Sequence, residues 1–223
     1  IEGVDQRVTE LLGPRVPADA GDQIDQVTVA HLLSMSSGLE RTSGPGYGAW
    51  VSSDNWVEYA LTQPFVDAPG ERMQYSTGDF HILSAALTEA SGRSTLALAR
   101  DWIGEPLGIR IPAWDQDPQG IYFGGNNMRL SPRALIELGE LYRNDGVVDG
   151  RRVLPEGRVE TSWTPRVRSP WSGDQYGFGW FILQFEGTDY YYGRGYGGQM
   201  LYVIPELELT VAITADPTPP SPP

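Results

Sequence analysis

Two segments of the sequence carry residue types and spacings that could take part in chemistry. Tyr75 lies just before a predicted helix, where unpaired backbone N–H groups and the helix dipole stabilise negative charge. A free phenol titrates near a pKa of ~10, so proton exchange at neutral pH would need nearby cations or hydrogen-bond donors. Arg194, in the segment Gly193-Arg194-Gly195, could bind a carboxylate through two parallel hydrogen bonds. Both segments also have a purely structural interpretation. Tyr75 could be a packing residue without a chemical role, and the glycines around Arg194 could form a bend at the start of a strand.

Lysine is absent from the sequence, and all 16 basic residues are arginine. An arginine side chain stays protonated in proteins and cannot accept a proton, whereas a buried lysine can. Any mechanism that needs a neutral lysine must therefore take it from outside this chain. Cysteine is absent as well, which excludes disulfide bonds and thiol catalysis.

The two histidines, His31 and His81, do not indicate a metal site or a catalytic triad. They lie far apart, and the sequence has no Gly-x-Ser-x-Gly segment to present a nucleophile. We expect His31 to pack within a helix and His81 to lie on the surface or in the core. Gly197-Gly198 lacks the lysine of a phosphate-binding loop. The sequence thus predicts neither a metal nor a cofactor.

Composition narrows the class of partner. The formal net charge is −13, which argues against nucleic acid, because phosphate binding requires clustered lysine and arginine. No apolar run is long enough to span a membrane. Neither the oligomeric state nor the cellular compartment follows from the composition.

Helices are predicted in the first part of the chain from apolar spacing and end signals. Thr28 can cap one short helix and Asp54 a second. A longer helix runs from about Phe80 to Gly92, and another begins at Ser131-Pro132. These elements should form the helical part of the fold.

From about residue 175 the pattern is that of strands joined by turns. The predicted strands are Tyr176–Phe185, Tyr190–Tyr192, Met200–Ile204 and Leu209–Ile213. Helices first and a meander last indicate an α+β fold, with helices packed on an antiparallel sheet. We expect one domain over residues 1–215, with a helical lobe at roughly 28–165 and strands at roughly 175–215, followed by a proline-rich tail at 216–223.

Four segments, in the same order, resemble signatures of the β-lactamase-related serine hydrolases. They are Val27–Leu39, similar to T-x-x-H-L-L-x-x-x-S-G-L; Pro69–Ser76, similar to P-G-x-x-x-x-Y-S; Leu130–Pro155, similar to a helix and the loop after it; and Gly193–Gln199, similar to the glycine-rich start of the active-site strand. Each match alone is weak, but together they cover nearly the whole chain. The family includes class C β-lactamases, D-alanyl-D-alanine carboxypeptidases, esterases and aminohexanoate-dimer hydrolases.

The resemblance implies a β-lactamase/transpeptidase-like fold, an antiparallel sheet flanked by helices with a helical lobe. It also implies acyl transfer through a serine ester. The family's serine lies in Ser-x-x-Lys, which cannot occur in a chain without lysine. We therefore expect truncation at the N-terminus and, since the family's final helix is not found, at the C-terminus too.

Roles for individual residues follow from the same resemblance. Tyr75 would help to deprotonate the serine and to protonate the leaving group. The backbone N–H of Tyr196 would form half of an oxyanion hole, and Gly195 would let a substrate lie against the strand edge. Either Gly193 or Arg194 takes the position of the family's cation, and the sequence leaves both registers open.

Thr77 and the loop at residues 124–127 each allow two interpretations. Thr77 stands where many members have asparagine, and it could donate a weaker hydrogen bond to a substrate or help to cap the helix. The loop at residues 124–127 could border a cleft or form a plain turn.

The function predicted is hydrolysis of a small-molecule ester or amide through an acyl-serine intermediate in the intact protein. This chain alone, lacking the nucleophile, is predicted to be inactive. The threonine at position 77 and the missing lysine in the glycine-rich segment favour an ester or a small amide over a β-lactam. The alternative is a non-catalytic ligand-binding relative, or an inactive fragment of the same fold.

Overall fold

The computed structural model describes residues 1–216. Apart from Asp216, the predicted proline-rich tail lies outside the described residues. The chain divides into two compact units. The first consists of Ile1–Ala99, Pro112–Arg129 and Arg166–Gly173, and the second of Arg100–Ile111, Leu130–Pro165 and the segment from Asp174 onward.

The helices are short except for two. The α-helices are α1 (Val8–Leu12), α2 (Val29–Leu33), α3 (Tyr47–Val51), α4 (Trp56–Leu61), α5 (Thr77–Ser91), α6 (Thr95–Ala99), α7 (Pro132–Arg143) and α8 (Arg158–Trp163). Single 3₁₀ turns occur at Gly13–Arg15, Ile24–Gln26, Gly44–Gly46 and Pro205–Leu207, and a π-helical turn at Arg100–Gly104. The two longer helices, α5 and α7, each organise one unit.

Most of the strands lie in the second unit. The strands are β1 (Val147–Val148), β2 (Arg151–Arg152), β3 (Val167–Arg168), β4 (Gln175–Tyr176), β5 (Phe181–Phe185), β6 (Thr188–Gly195), β7 (Gln199–Ile204) and β8 (Leu209–Ile213). Strands β4 to β8 pair with their neighbours in sequence order, and every pairing is antiparallel. Strands β1 and β2 form a separate antiparallel hairpin. The α+β class and the antiparallel sheet predicted from the sequence are confirmed.

Helix α5 is the centre of the first unit. Helices α1, α2 and α4 all pack against it. Its buried face joins one apolar cluster, whose members include Val8, Leu12, Leu32, Val57, Leu61, Ile82, Leu83, Ala85 and Ala86. Burying each of the larger side chains contributes roughly 1.5–3 kcal/mol relative to leaving it exposed. The start of α5 is therefore held by the core behind it.

Helix α7 covers strands β7 and β8 in the second unit. The helix comes close because residue 139 is glycine: a Cβ there would lie 2.5 Å from Cγ2 of Thr210 and 3.0 Å from Cδ1 of Leu201. Next to this contact, the rings of Trp163 and Tyr191 stack with centroids 3.8 Å apart. This packing fixes the strands that carry the glycine-rich segment.

Several predicted boundaries are confirmed. Thr28 caps α2, Ser131 caps α7 by accepting from the N–H of Ala134, and Gly92 ends α5 in the left-handed conformation with φ 63°. The break between the first two predicted strands of the meander is also found: Glu186 and Gly187 join β5 and β6, and both residues have positive φ, as the common two-residue hairpin turn requires. Local signals sufficed at each of these positions.

Three predicted boundaries were wrong. The cap of α4 is Asn55 rather than Asp54, with the Asn55 side chain accepting from the N–H of Glu58 at 3.2 Å. The strand predicted over Tyr176–Phe185 is interrupted, because Gly177 turns to donate to the carbonyl of Trp180 at 2.9 Å. The segment Gly193–Gly195 ends β6 instead of beginning a strand, since the ladder with β7 closes at the pair Gly195 and Gln199.

The loop at residues 124–127 lies directly on α5. A Cβ at Gly124 would be 1.8 Å from the carbonyl oxygen of Phe80, and one at Gly125 would be 2.8 Å from that of Thr77. The backbone can approach the helix this closely only because neither residue has a side chain. Asn126 then donates from Nδ2 to the hydroxyl of Tyr47 at 2.8 Å. The loop is part of the packing, and its bordering of a cleft stays a prediction.

Replacing Gly124 with alanine should lower the free energy of unfolding by about 3 kcal/mol or more, because the loop must leave the helix. Gly48 in α3 provides the control, since a Cβ there would meet nothing within 4 Å. Gly48→Ala should be neutral or stabilising by up to ~1 kcal/mol. Urea unfolding of the two variants measures the difference, and equal losses would contradict the close contact.

Candidate active site

Tyr75 lies in a short segment outside the helices and strands, and hydrogen bonds hold this segment on both sides. The N–H of Gln74 donates to the carbonyl of Met35 at 2.8 Å, which joins the segment to the loop after α2. The side-chain amide of Gln74 donates to Asp67 at 2.7 Å. Hydrogen bonds from Gln74 and then Arg72 hold the pKa of Asp67 below its usual value. Tyr75 itself is half-buried, directly before the start of α5, as predicted.

The first backbone N–H groups of α5 are satisfied by a distant loop. A helix begins with N–H groups that have no partner within the helix, and the side chain of Ser76, at the N-cap position, does not accept from them. Instead the N–H of Thr77 donates to Oγ of Ser43 at 2.8 Å, and the N–H of Gly78 donates to Oγ1 of Thr42 at 2.9 Å. These hydrogen bonds fix the segment that contains Tyr75 to Ser43 and Thr42, which precede their partners by 34 and 36 positions in the sequence.

Gly78 makes this capping possible. A Cβ at position 78 would lie 2.4 Å from Oγ1 of Thr42 and 3.2 Å from Cβ of Ala60. Those separations are shorter than van der Waals contact, so a larger residue would displace the capping hydroxyl. The glycine is required by the approach of Thr42.

Thr77 is the first residue of α5 rather than its cap. Its hydroxyl lies 2.8 Å from Oγ of Ser43, and either oxygen can be the donor. The side chain of Ser43 therefore contacts both the N–H and the hydroxyl of Thr77. Of the two predicted roles, capping belongs to Ser43 and Thr42, while donation to a substrate stays a prediction.

Asp79, in the first turn of α5, is a buried carboxyl that the sequence did not single out. The hydroxyl of Ser37 donates to its Oδ1 at 3.0 Å, and it forms no ion pair with a described residue. Burial raises the pKa of Asp79 to about 7, opposed only in part by hydrogen bonding from Ser37. The Ser36-Ser37-Gly38 segment of the family signature thus contacts the helix that follows Tyr75.

His81 and Asp117 form a buried pair that sequence reasoning also missed. Nε2 of His81 lies 3.0 Å from Oδ2 of Asp117, and both side chains are fully buried. Oδ1 of Asp117 accepts from the N–H groups of Gln119 and Ile121. The pair joins the loop around Asp117 to α5. Because the His81 side chain is fully buried, His81 belongs to the core, which is one of the two positions expected for it.

His31 helps to cap its own helix. Its N–H donates to Oγ1 of Thr28 at 3.4 Å, and its Nδ1 accepts from the N–H of Thr28 at 3.2 Å. Burial lowers the pKa of His31, which is consistent with a neutral acceptor in this position. The ring also lies against Gly70, where a Cβ would be 3.0 Å from Nε2. The expected packing role of His31 is confirmed.

The glycine-rich segment forms the tip of the β6–β7 hairpin in the second unit. Arg194 pairs with Met200, and Gly195 with Gln199. Tyr196 is 91% exposed, and Gly197 and Gly198 turn the chain with φ of 77° and 88°. Arg194 is exposed and makes no ion pair with a described residue.

Sequence-predicted residues therefore fall into two local groups. Tyr75 and Thr77 lie together at the start of α5, and Arg194, Gly195 and Tyr196 lie together on the hairpin. Among residues 1–216 there is no cluster of three or more potential metal-binding His, Asp or Glu side chains. No helix in that part of the chain combines the length and the apolar character needed to cross a bilayer.

Sequence comparisons match the chain to a family model and to a curated relative. A family model described as Beta-lactamase matches residues 2–223. The D-alanyl-D-alanine-carboxypeptidase/endopeptidase AmpH of Escherichia coli (strain K12) is 25% identical over an alignment 203 positions long, which covers 77% of this chain and 51% of AmpH. This chain thus spans about half the length of that relative.

Solved structures share the fold. An octameric penicillin-binding protein homologue from Pyrococcus abyssi matches with a TM-score of 0.74 and 24% identity, covering 98% of this chain and 58% of that one. A D-stereospecific amidohydrolase from a Streptomyces species matches with a TM-score of 0.72 and 19% identity, covering 94% and 73%. At these identities the likeness establishes the fold alone.

Removing the remote caps should destabilise α5. Thr42→Val and Ser43→Ala should each lower the free energy of unfolding by about 1–2 kcal/mol, because they leave an N–H of α5 without its acceptor. Hydrogen exchange should also become faster at the amides of Thr77 and Gly78. Thr62→Val is the control, because the hydroxyl of Thr62 donates only to carbonyls of its own helix. This variant should change the free energy of unfolding by less than about 0.5 kcal/mol. Unchanged exchange at Thr77 and Gly78 would rule out this capping.

Asp79 should make the protein less stable as the pH rises, which is the opposite of the effect of an ion-paired carboxylate. With a folded pKa of about 7 against a reference value of 3.8, the folded state keeps a proton that the unfolded chain has lost. Stability should therefore fall as the pH rises from about 4 to about 7, by up to ~1.4 kcal/mol per pH unit. Asp79→Asn stays neutral and should escape this loss.

The measurement is urea unfolding of wild type and Asp79→Asn between pH 4 and pH 8. The difference between them should move in favour of the variant up to about pH 7 and then level off. Asp22 is exposed, so Asp22→Asn is a matched control with a difference that should not vary with pH. A constant difference for Asp79→Asn as well would contradict the raised pKa.

Proposed function

We propose that this chain, which belongs to the beta-lactamase family, supplies the catalytic tyrosine and a substrate-binding hairpin of a serine hydrolase that cleaves an ester or a small amide. The observation that carries the proposal is the fixed position of Tyr75 at the start of α5. Hydrogen bonds at Gln74, Thr77 and Gly78 hold its segment on both sides. A tyrosine that moves protons must be held in this way, since proton transfer requires hydrogen-bond distance to the reacting atom.

Under this proposal the chemistry is acyl transfer in two steps. A serine hydroxyl attacks the substrate carbonyl, and its proton passes to Tyr75 in the phenolate form. The resulting phenol gives that proton to the departing alcohol or amine as the C–O or C–N bond breaks, which regenerates the phenolate. Water then cleaves the acyl-serine ester and restores the serine. On the hairpin, the backbone N–H of Tyr196 stabilises the oxyanion, as the resemblance implies.

The serine and its lysine must come from sequence outside these 223 residues, because the chain contains no lysine. We therefore expect the 223 residues alone to have no hydrolase activity by this mechanism. A protein that contains these residues together with a Ser-x-x-Lys segment, called the longer protein below, is the species to assay.

An ester or a small amide is preferred over a β-lactam for two reasons. Thr77 replaces the usual asparagine, and its hydroxyl is already within hydrogen-bond distance of Ser43. The hairpin carries Gly193-Arg194-Gly195, with no lysine. The names of two similar proteins, a D-alanyl-D-alanine-carboxypeptidase/endopeptidase and a D-stereospecific amidohydrolase, are compatible with amide substrates. Efficient turnover of nitrocefin by the longer protein would contradict the preference.

The second candidate is a binding protein that keeps the fold without a nucleophile, and the missing Ser-x-x-Lys is the observation that favours it. Incubating the longer protein with a fluorophosphonate separates the two. Covalent labelling of a serine supports the hydrolase, and its absence together with intact ligand binding supports the binding protein.

Replacing Tyr75 with phenylalanine in the longer protein should lower kcat at least about a hundredfold, because general acid–base catalysis typically contributes ~10²–10⁴. Tyr59 in α4 is also half-buried, and Tyr59→Phe is the matched control, expected to retain near-normal turnover. Steady-state kinetics on a p-nitrophenyl ester measures both. A near-normal rate for Tyr75→Phe would reduce Tyr75 to a packing residue.

A further inference from the structure

An exposed tryptophan of the first unit lies against Tyr75. The side chain of Trp171 is 57% exposed, which is unusual for the largest apolar side chain. Its ring meets the ring of Tyr75 edge to face, with centroids 6.4 Å apart and an interplanar angle of 88°. On the same ring lies the guanidinium of Arg41, whose Cζ is 5.1 Å from the centroid. A phenol, an indole and a cation thus form one continuous surface.

The turn that carries Trp171 is held from within. The N–H of Gly173 donates to the carbonyl of Ser169 at 3.0 Å, and the N–H of Ser172 donates to Oγ of Ser169 at 3.3 Å. Ser169 is buried, and Arg168 closes the turn by donating to the carbonyl of Gly173. Trp171 is therefore presented by an anchored turn.

Arg41 is positioned from both sides along the backbone. Before it, the N–H of Glu40 donates to the carbonyl of Pro64 at 2.8 Å. After it come Thr42 and Ser43, which cap α5. The cap that fixes Tyr75 and the residue that contacts its aromatic neighbour are thus consecutive in the sequence.

The charge of Arg41 is not neutralised by a described residue. Arg41 forms no ion pair within residues 1–216, although the chain carries 29 acidic residues. Stacking on an aromatic face uses the plane of the guanidinium and leaves its N–H donors at the edge available. Those donors match the two oxygens of a carboxylate.

We propose that Arg41 and Trp171 form a binding subsite beside Tyr75 for substrates that carry a carboxylate near the scissile bond. Arg41 donates to the carboxylate, and Trp171 covers the apolar part of the same group. The inference rests on the proposed function, because it names the substrate class that the Tyr75 site takes.

Two p-nitrophenyl esters of equal acyl length test the subsite in the longer protein. The butyrate ester is neutral, and the succinate monoester has a carboxylate at the end of the same four-carbon chain. Wild type should prefer the succinate ester in kcat/KM. Arg41→Gln should lower the ratio of succinate to butyrate kcat/KM roughly tenfold or more, since it removes charge-assisted hydrogen bonds.

Further variants separate charge from geometry. Arg41→Lys keeps the charge but not the planar donors, so its ratio should lie between those of wild type and Arg41→Gln. Arg133 is an exposed arginine on α7 in the second unit, and Arg133→Gln should leave the ratio unchanged. Urea unfolding of each variant shows whether it is folded.

The outcomes distinguish this inference from the proposed function. An unchanged ratio in a folded Arg41→Gln that still cleaves the butyrate ester would overturn the subsite and leave the hydrolase standing, whatever its absolute rate. Failure of wild type to cleave either ester would overturn both. A ratio that falls equally in Arg133→Gln would show general electrostatic attraction and would also overturn the subsite.

Discussion

The N-terminus of α5 needs acceptors for its free N–H groups, and the arrangement of the first unit follows from where they are found. Ser43 and Thr42 supply them from a loop more than thirty residues earlier. Because the side chains are short, the two segments must approach closely, and only glycine at position 78 permits it. Tyr75 directly precedes this junction, so its position is set by a long-range contact as well as by its own neighbours.

Two residues near Tyr75 are in environments that cost free energy. Asp79 is buried without a cation, although burial disfavours its charged form. Trp171 remains exposed while most other tryptophans are buried. Such departures from ordinary packing rules concentrate at functional sites in many proteins. Here they lie within one helical turn of Tyr75 or in contact with its ring.

Features that depend on neighbouring residues were predictable from the sequence, and features that depend on distant pairs were not. Thr28, Ser131 and Gly92 are strong local end signals, and each acts as expected. Asp54 and Asn55 are both good caps, and local preference could not choose between them. The pair of His81 and Asp117, separated by 36 positions, has no local pattern at all. Of the candidate site, sequence reasoning found Tyr75, Thr77 and the glycine-rich segment through the resemblance, but neither Arg41 nor Trp171.

The contact between Thr42 and Gly78 has an evolutionary consequence. A side chain at position 78 would collide with the hydroxyl that caps the helix, so an exchange there is tolerable only if position 42 changes as well. The two residues should therefore vary together among descendants of this sequence, with glycine at one accompanying a hydroxyl at the other. Divergence at this junction would proceed through paired replacements, and single ones would be removed by selection.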